Sequence, residues 1–457
     1  MMAINTCHSI LSYFRRKGVQ LSNDQMVTPL DIMQLPMDFV IDIIKNGRDN
    51  LPPEKKKAKF TASDDIFDLE ALPSTTIFKD SATLDTTSLQ KKWKVPMLMC
   101  VDSSPLVIRR DDVNIVIAGS QRGDLVCVDD ISGDVLHRSL VSGKIEGDLS
   151  YLQSDCTDTE TMIFIPTYSS VDRKHKGTAY ALHLKGTSLV PSWEHKCVGE
   201  IKNKLTAFIY PGSKLSKRLL CATYDGSLTY LDAANGRVLQ VAEDLGGAVH
   251  ADPILIHGSA DTTRNLFALV VSCAWKGAVS CVSLAESSFE RLWTIDLWTP
   301  VYSTPTLSPN SESQVTLCGV DGSVRSIKLK DGVEVWRLDT ENRPIFTKCC
   351  SLKALKHRTV FGSHDGKLRC IDSDGTVVWN VDVSSPILSS PVTINNDIIF
   401  ADTSGRVHTV SCSNGLQVHD TLSFGAEIFC SPTVHGGNVY LGCRDSHLHK
   451  LQHIGSA

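Results

Sequence analysis

The stretch from Phe361 to Pro391 reads FGSHDGKLRCIDSDGTVVWNVDVSSPILSSP, and it holds one full unit of a repeat. The pair Asp365-Gly366 separates two short apolar runs, which is typical of a hairpin turn because glycine reaches positive φ without steric cost. A second turn glycine, Gly375, precedes Trp379 by four residues, and two small residues before a proline then begin the next run. This order predicts a unit of four short β-strands joined by tight turns.

The same unit recurs along most of the chain. Trp336 lies 43 residues after Trp293, and Trp379 lies 43 residues after Trp336. The residues that mark the repeat are the tryptophans Trp93, Trp193, Trp293, Trp336 and Trp379 and the hairpin glycines Gly226, Gly322, Gly366 and Gly405. Where the tryptophan is lost, the frame persists with His137, Gln240 and His419, each four residues after a glycine. A recurring period of this length indicates a repeat architecture.

Eight strand starts of the small-small-proline type can be counted. They lie near Ser104, Gly147, Thr206, Asp252, Thr304, Lys348, Ser390 and Ser431. The last unit has only three strands, and the segment LQKKWKV at 89–95 supplies a fourth from ahead of the first unit. Pairing the two ends of the chain in one sheet removes an exposed sheet edge. We therefore predict an all-β chain, a β-propeller of eight four-stranded blades, with seven blades as the alternative if residues 147–202 are misassigned.

Two segments precede this repeat. Residues 1–47 have an apolar period typical of helices, and residues 48–88 have the polar composition of a flexible linker. The linker carries a basic run, Lys55-Lys56-Lys57, which we interpret as solvated linker charge rather than a nuclear address. The predicted domains are a short helical segment at 1–47, a linker at 48–88 and a propeller at 89–457.

Composition excludes several classes of partner. The chain has 457 residues, 42% of them hydrophobic, and a formal net charge of −5, so we expect no nucleic-acid partner. No apolar run reaches the roughly 18 residues of a membrane helix, so we expect no membrane partner. The N-terminus lacks the order of a signal peptide, and the 15 cysteines are mostly scattered singly. We therefore predict a monomer in the reducing cytoplasm.

The repeat resembles that of the pyrroloquinoline-quinone (PQQ) type propellers, which are quinoprotein alcohol dehydrogenase-like, and it lacks the WD-repeat signature. A closer resemblance is carried by VDSSPLV from Val101, GSHDGKLRC from Gly362 and SPTVHGGNVYLGCRD from Ser431. These segments are similar to the C-terminal propeller of the β-alanine-activating enzymes, an acyl-CoA synthetase family also called aminoadipate-semialdehyde dehydrogenase homologues. The segment from Ala3 to Leu35 resembles the second half of a phosphopantetheine carrier domain.

The resemblance implies a function for the longer family members. They are ligases of the acyl-adenylate-forming class that activate β-alanine with ATP and load it onto phosphopantetheine, in the manner of fatty-acid-type activation. The carrier's Gly-Asp-Ser-Leu motif and the adenylation domain are missing from this chain, so ATP and phosphopantetheine would serve only a full-length relative. We expect a truncated product, an alternative isoform or an incomplete gene model.

For this chain we therefore expect a non-catalytic binding or scaffold module with a protein or tethered-substrate partner at the propeller face. The alternatives are a PQQ-dependent dehydrogenase and a stand-alone protein-interaction propeller. The long loops at Tyr168 and Ile256 are either contact loops or tolerated insertions.

Three groups of residues could carry chemistry. The adjacent pair Cys349-Cys350 could contact a quinone, but its position at a strand start favours packed thiols, and no Ca²⁺ ligand set can be assembled; we expect neither PQQ nor another cofactor. The alternating His447 and His449 share one side of a strand near Cys443, and we interpret them as edge or surface histidines rather than a metal site. Four turn carboxylates could line a funnel, although turn chemistry explains them: Asp225, Asp321, Asp365 and Asp445.

Overall fold

The computed structural model describes residues 74–78 and 89–453, apart from 111–112, 154–160, 170–173, 213–215, 258–265, 309–310, 353–354 and 356. The helical segment predicted at 1–47 and most of the predicted linker lie outside these residues. Every regular element of the described part is a β-strand. None of its segments is a helix long and apolar enough to cross a bilayer.

Within the residues that the structure describes, thirty-three strands form eight antiparallel sheets, which are the predicted eight blades. Two strands precede blade 1, namely β1 (Thr76–Ile77) and β2 (Leu89–Pro96). Blades 1 to 4 consist, in chain order, of β3 (Leu106–Arg110), β4 (Val113–Gly119), β5 (Asp124–Asp129), β6 (Val135–Leu140), β7 (Ser150–Leu152), β8 (Thr161–Tyr168), β9 (Gly177–Lys185), β10 (Ser188–Cys197), β11 (Thr206–Ile209), β12 (Lys217–Ala222), β13 (Leu228–Asp232), β14 (Val238–Ala242), β15 (Ile254–His257), β16 (Leu266–Val271), β17 (Ala278–Leu284) and β18 (Phe289–Asp296). Blades 5 to 8 consist of β19 (Thr306–Ser308), β20 (Ser311–Cys318), β21 (Ser323–Lys328), β22 (Glu334–Asp339), β23 (Cys350–Ser351), β24 (Thr359–Gly362), β25 (Lys367–Ile371), β26 (Val377–Asp382), β27 (Val392–Ile394), β28 (Asp397–Ala401), β29 (Arg406–Ser411), β30 (Gln417–Ser423), β31 (Thr433–His435), β32 (Asn438–Cys443) and β33 (His447–His453), with β2 as the fourth strand of blade 8.

The ring closes as the sequence predicts. Strand β2 pairs antiparallel with β33, and Val95 lies opposite Leu448 while Trp93 lies opposite Lys450. Strand β1, which lies within the segment 48–88, adds a fifth strand on the outside of this blade. First strands of neighbouring blades contact one another, β3 against β31 and β7 against β11, so they line the axis. Closure therefore satisfies the edge of blade 8 with residues that are more than 350 positions away in the chain.

Burial follows the position of each strand in its blade. In blade 5, β21 is buried except for its last residue, whereas outer strand β22 alternates exposed and half-buried residues. The inner strands are covered on both faces by neighbouring blades, which explains their continuous apolar runs such as LVCV in β5. Blade-on-blade packing therefore forms the core, which consists of separate apolar clusters between successive blades.

Each repeat tryptophan packs against a turn glycine of the next blade. A Cβ on Gly133 would lie 2.7 Å from the Trp93 ring, and one on Gly375 would lie 2.6 Å from the Trp336 ring. Four of the five indole N–H groups donate to a carbonyl of the next blade: Trp93 to Asp130 (3.0 Å), Trp193 to Ala233 (3.0 Å), Trp293 to Leu329 (3.0 Å) and Trp336 to Ser373 (2.8 Å). In blade 3, Gln240 stands at the position of the repeat tryptophan and exchanges two hydrogen bonds with the backbone of Phe289. The side chain at this position thus joins successive blades.

The hairpin glycines Gly226, Gly322, Gly366 and Gly405 all have positive φ, between 80° and 88°. At Gly405 a Cβ would lie 2.0 Å from the carbonyl oxygen of Ala426, which belongs to the backbone. We expect Gly405→Ala to lower the free energy of unfolding by about 2 kcal/mol, since left-handed strain and a backbone collision add. Gly425→Ala is the matched control, because Gly425 also has positive φ but no neighbour within 4 Å of its Cβ position.

Equilibrium urea unfolding of both variants measures the difference. Gly425→Ala should cost only the backbone strain, about 1 kcal/mol. Equal losses in the two variants would show that the collision at Gly405 is relieved and would contradict the packing of this turn.

Candidate functional site at the propeller axis

The connection that enters each blade repeats one five-residue pattern: a buried valine or isoleucine, a variable residue, a small residue, a second variable residue, and usually proline. We call the second variable residue of each blade the slot ring, and its members are Ser104, Asp148, Lys204, Asp252, Thr304, Lys348, Ser390 and Ser431. Two of the eight strand starts predicted from the sequence were therefore misplaced. Gly147 lies one residue from the equivalent position, Asp148, and Thr206 lies two residues from Lys204. Neither connection has proline, which marks five of the other six starts.

The slot ring is a belt of hydrogen bonds around the axis, in which a side-chain oxygen of one blade accepts from the backbone N–H of the preceding blade. The bonds run from Ser104 N–H to Asp148 (2.7 Å), Lys204 N–H to Asp252 (2.8 Å), Asp252 N–H to Thr304 (3.1 Å), Lys348 N–H to Ser390 (3.0 Å), Ser390 N–H to Ser431 (3.0 Å) and Ser431 N–H to Ser104 (3.2 Å). The two missing links are those in which Lys204 or Lys348 would have to accept, which an ammonium group cannot do.

Charge is concentrated on one side of the slot ring, where Asp148 and Asp252 flank Lys204. Burial and the negative charge of Asp252 raise the pKa of Asp148, while the N–H of Ser104 and the charge of Lys204 act in the opposite direction. The belt therefore combines a structural role with an uneven electrostatic surface at the axis.

The first variable residue of the pattern forms a second ring, which we call the mouth ring. Its members are Asp102, Glu146, Lys202, His250, Tyr302, Phe346, Leu388 and Phe429. Blades 1 to 4 thus contribute charged or titratable side chains and blades 5 to 8 contribute aromatic or aliphatic ones. The mouth ring shares one end of the propeller with the hairpin turns between second and third strands, as shown by the bond from Tyr224 N–H to Glu200 O (2.8 Å). We call this end the funnel face.

The ionic half of the mouth ring is held by hydrogen bonds. Arg444 donates to Asp102 at 2.8 Å, and the Tyr168 hydroxyl donates to Glu146 at 2.7 Å. The His250 Nε2 atom lies 3.9 Å from Glu146 Oε1. Burial opposes ionisation of Glu146, but His250, Tyr168 and the charge of Lys202 outweigh it and lower the pKa of Glu146 to about 2. Glu146 is therefore a fixed negative charge at neutral pH.

In the apolar half, Tyr302 and Phe346 form a chain of edge-to-face aromatic contacts that begins at His250 of the ionic half and ends at the turn residue His364. The ring centroids of His250 and Tyr302 lie 5.3 Å apart, those of Tyr302 and Phe346 5.6 Å apart, and those of Phe346 and His364 6.3 Å apart. These side chains are half-buried except the exposed His364, so ring surface stays accessible at the mouth. The site can therefore recognise a ligand that has one charged end and one apolar part.

Two exposed tryptophans outside the repeat frame lie on the same face. Trp275 is 61% exposed and Trp298 is 65% exposed, with ring centroids 5.3 Å apart. Trp298 adopts a φ of 59°, which is an outlier for a bulky residue and is typical of functional sites. Sequence analysis missed both residues because it used only tryptophans that fit the repeat; a tryptophan outside the frame was the available signal.

The four predicted turn carboxylates all close turns. In each turn the backbone N–H two residues after the aspartate donates to its carboxylate: Ser227 to Asp225 (3.3 Å), Ser323 to Asp321 (3.0 Å), Lys367 to Asp365 (3.0 Å) and His447 to Asp445 (3.0 Å). The pKa of Asp321 lies below its usual value because hydrogen bonds from Ser323 and nearby arginines outweigh burial, which acts to raise it. Their hydrogen bonds are those of turn chemistry.

The adjacent cysteines are separated by the strand start. Cys349 is buried with its sulfur 3.4 Å from that of Cys318, whereas Cys350 belongs to the next apolar cluster. Burial raises the pKa of Cys350 to about 11, so its thiol is protonated at neutral pH. The side chains therefore point into two different cores, as packed thiols would.

The alternating histidines lie close together. The rings of His447 and His449 have centroids 5.8 Å apart, and His449 Nε2 lies 3.0 Å from Asp445. The ligand atoms of Cys443, Asp445 and His449 all lie within 4.8 Å of one another. However, Asp445 also closes its turn, and the Cys443 thiol lies 3.7 Å from the carbonyl of Glu427, so both are already hydrogen-bonded. His449 is buried rather than at the surface as predicted, because the blade covers its strand, and its Nδ1 atom has no partner in the described part of the chain.

A cavity of about 300 Å³ opens between the outer strands of blades 6 and 7. Its polar lining includes Arg406 and His408, and both of these side chains are paired with the buried Asp402 at 2.9 Å. The cavity lies on outer strands rather than on the axial rings, so we take the funnel face as the candidate site.

Comparison with known proteins agrees with this architecture. Residues 97–453 match the family model described as "Beta-alanine-activating enzyme, beta-propeller". The chain is similar to the β-alanine-activating enzyme of Drosophila melanogaster, with 22% identity over 281 residues, 56% of this chain and 22% of that protein. It is also similar to that of Danio rerio, with 27% identity over 104 residues, 21% of this chain and 9% of that protein. The matched part thus spans less than a quarter of these relatives.

Among solved structures, the chain resembles BamB from Moraxella catarrhalis. The TM-score is 0.59 with 16% identity, and the likeness covers 81% of this chain and 99% of that one. At this level of identity the likeness shows the propeller fold alone.

Proposed function

This chain belongs to the β-propeller family of the β-alanine-activating enzymes, and from that premise we propose that it is a non-catalytic binding module for a carrier-tethered β-alanyl group. The name of the relatives supplies the substrate, and we propose that activation takes place in the parts of those proteins that this chain does not match. The ligase chemistry and fatty-acid-type acyl activation of full-length relatives are the proposed context. We also propose a cytoplasmic location, since the described cysteines are free thiols, which a reducing compartment maintains.

The observation that carries this proposal is the two-sided mouth ring. A β-alanyl group ends in a primary ammonium, and Glu146 offers a partly exposed carboxylate to it, whereas the charge of neighbouring Asp102 is already paired with Arg444. The apolar half, with Tyr302 and Phe346, suits the methyl and methylene groups of a pantetheine arm. Hydrogen bonds to a charged group contribute about 1.5–3 kcal/mol each, which is enough to distinguish a loaded arm from an unloaded one.

The exposed pair Trp275 and Trp298 extends the proposed surface toward a protein. Aromatic side chains are enriched where proteins bind each other, and the strained backbone at Trp298 needs a compensating role. We propose that these two rings contact the carrier domain that presents the β-alanyl group. The funnel would then receive the arm while the rim holds the carrier.

We predict that Glu146→Gln weakens binding of a non-hydrolysable amide analogue of β-alanyl-pantetheine by roughly 10- to 100-fold, the factor that corresponds to one charge-assisted hydrogen bond. Binding of pantetheine without the β-alanyl group should stay unchanged in the same variant. Because the pKa of Glu146 is about 2, affinity for the analogue should also stay constant between neutral and mildly acidic pH. Isothermal titration calorimetry measures all three quantities.

Glu290→Gln is the matched control, since Glu290 is exposed on outer strand β18 and its substitution removes the same charge away from the funnel. It should leave both affinities unchanged. Equal loss in the two variants would point to net charge rather than to the mouth ring. Failure of the analogue to saturate the wild-type chain would overturn the proposal.

A further inference from the structure

A second cluster of chemistry-bearing side chains lies at the junction of blades 7 and 8. Asp397 begins β28, His419 lies on outer strand β30, and His453 ends β33. The Nε2 atoms of His419 and His453 are 3.2 Å apart, and His453 Nε2 lies 3.0 Å from Asp397 Oδ2. The two histidines are 4% and 7% exposed, so this is a buried group built from two blades.

Hydrogen bonding alone leaves this group incompletely satisfied. Three lone-pair-bearing atoms converge, and His453 Nε2 faces both the carboxylate and the other imidazole. A single N–H on that atom can donate to one of them, not to both. The ligand atoms of all three residues lie within 4.8 Å of one another. An ion bound to the two Nε2 atoms and the carboxylate would resolve this conflict, because each of these atoms would then offer a lone pair to the ion.

The position of His419 in the repeat supports the same conclusion. It occupies the position of the repeat tryptophan in blade 7, four residues after Gly415, where other blades pack an indole ring against the next blade. At the corresponding position of blade 3, Gln240 replaces the ring with two backbone hydrogen bonds and is satisfied. His419 instead meets a histidine of the neighbouring blade, so the junction that lacks the tryptophan wedge has gained a set of metal-type ligands.

We propose that Asp397, His419 and His453 bind a divalent transition-metal ion of the Zn²⁺ class that cross-links blade 7 to the closing blade. Zinc is bound tetrahedrally by imidazole at about 2.0–2.1 Å and by carboxylate at about 2.0–2.2 Å, so neighbouring ligand atoms lie about 3.3 Å apart. The observed distances between the ligand atoms, 3.2 Å between the two Nε2 atoms and 3.0 Å from His453 Nε2 to Asp397 Oδ2, are close to this value. Two imidazoles favour Zn²⁺ over Ca²⁺ and Mg²⁺, which prefer all-oxygen ligands.

The ion would use three ligands of the chain and leave a fourth position for a water molecule. The Asp397 side chain is 16% exposed, so the site has a path to solvent. Because two ligands belong to blade 7 and one to blade 8, binding would stabilise the closed ring over the open chain. This role is independent of the funnel face.

The experiment uses the full chain, stripped with a chelator and titrated with Zn²⁺, with Co²⁺ as a spectroscopic substitute. We expect one Zn²⁺ per chain at micromolar or tighter affinity, tetrahedral visible bands with Co²⁺, and a melting temperature raised by several degrees. His419→Gln should weaken Zn²⁺ binding by ~100-fold or more, since it removes a direct ligand. Asp397→Asn, which keeps the side-chain shape, should fold as the wild type without metal and lose the Zn²⁺-dependent rise in melting temperature.

His449→Gln is the control, because His449 belongs to the other group of close ligand atoms and should leave Zn²⁺ affinity unchanged. Binding that disappears in His449→Gln but persists in His419→Gln would overturn the assignment. So would a stripped chain that shows no saturable binding of Zn²⁺.

Discussion

Replacing Trp93 with alanine should lower the free energy of unfolding by about 4 kcal/mol, as large-to-small substitutions of buried aromatic residues do. The Trp93 side chain is 2% exposed and packs against Gly133 of blade 1 and Tyr440 of blade 8. Its indole N–H donates to the carbonyl of Asp130 at 3.0 Å. The substitution thus leaves a cavity at the junction where the ring closes and removes one of the two hydrogen bonds that the Asp130 carbonyl accepts, the other being from Lys450. Equilibrium urea unfolding followed by circular dichroism measures the loss.

Trp336→Ala is the matched control for this prediction. Trp336 occupies the same repeat slot and makes the same type of hydrogen bond, to the carbonyl of Ser373 at 2.8 Å, but it is only half-buried. Its loss should cost about 2 kcal/mol, in proportion to the smaller area removed from water. A Trp93→Ala variant as stable as Trp336→Ala would mean that the closing junction is no better packed than an ordinary one.

Much of the fold could be predicted because each blade of a propeller imposes the same physical requirements, so the same residue types recur in the sequence. Turns such as that at Gly366 need a residue at positive φ, and the wedge between blades needs a large ring, so both recur at a fixed spacing. The closure was predictable for a related reason. The C-terminal unit has three strands and a lone strand precedes the first unit, so each leaves unpaired backbone groups that the other can pair with. The supplementary strand β1 was not predictable, because two residues carry no period.

The sequence suggested the propeller face as the place of a partner, but the residues of the candidate site could not be predicted, although they stand in the repeat frame. The mouth ring occupies the variable position of each unit, and a search for repeated residues discards positions that vary. Glu146 and Tyr302 differ in type because a binding surface needs different chemistry on different sides. The cluster around His419 was missed for a similar reason: the loss of a tryptophan was noted, but the partners, Asp397 and His453, come from strands that only the three-dimensional ring brings together.

Lys450→Met is the second substitution with a large expected effect, because it breaks a buried ion pair across the closing junction. The Lys450 ammonium donates to the carboxylate and to the carbonyl of Asp130, both at 2.6 Å, and Tyr440 donates to the same carboxylate at 2.5 Å. Lys450 is 7% exposed and Asp130 is 4% exposed. Removing the cation leaves a carboxylate buried without its counter-charge, which costs about 3–5 kcal/mol. The double variant Lys450→Met/Asp130→Asn should recover part of this loss, since no charge then remains to be buried.

The dependence on pH separates this cause from a simple packing defect. Burial acts to raise the pKa of Asp130, but the hydrogen bonds from Lys450 and Tyr440 outweigh it and hold the pKa below its usual value. In the wild type this group therefore adds stability above the unfolded pKa of about 3.9, and that contribution is lost as the pH falls through the lower folded value. In Lys450→Met the remaining burial favours the protonated acid, so the gap in stability between wild type and variant should narrow on acidification. Lys196→Met, which removes an exposed pair with Glu194 at 3.7 Å, should cost less than about 1 kcal/mol at any pH. If the difference in free energy of unfolding between wild type and Lys450→Met stays constant from neutral to acidic pH, the loss is due to packing. The charge of Asp130 would then not contribute to the stability of the closing junction.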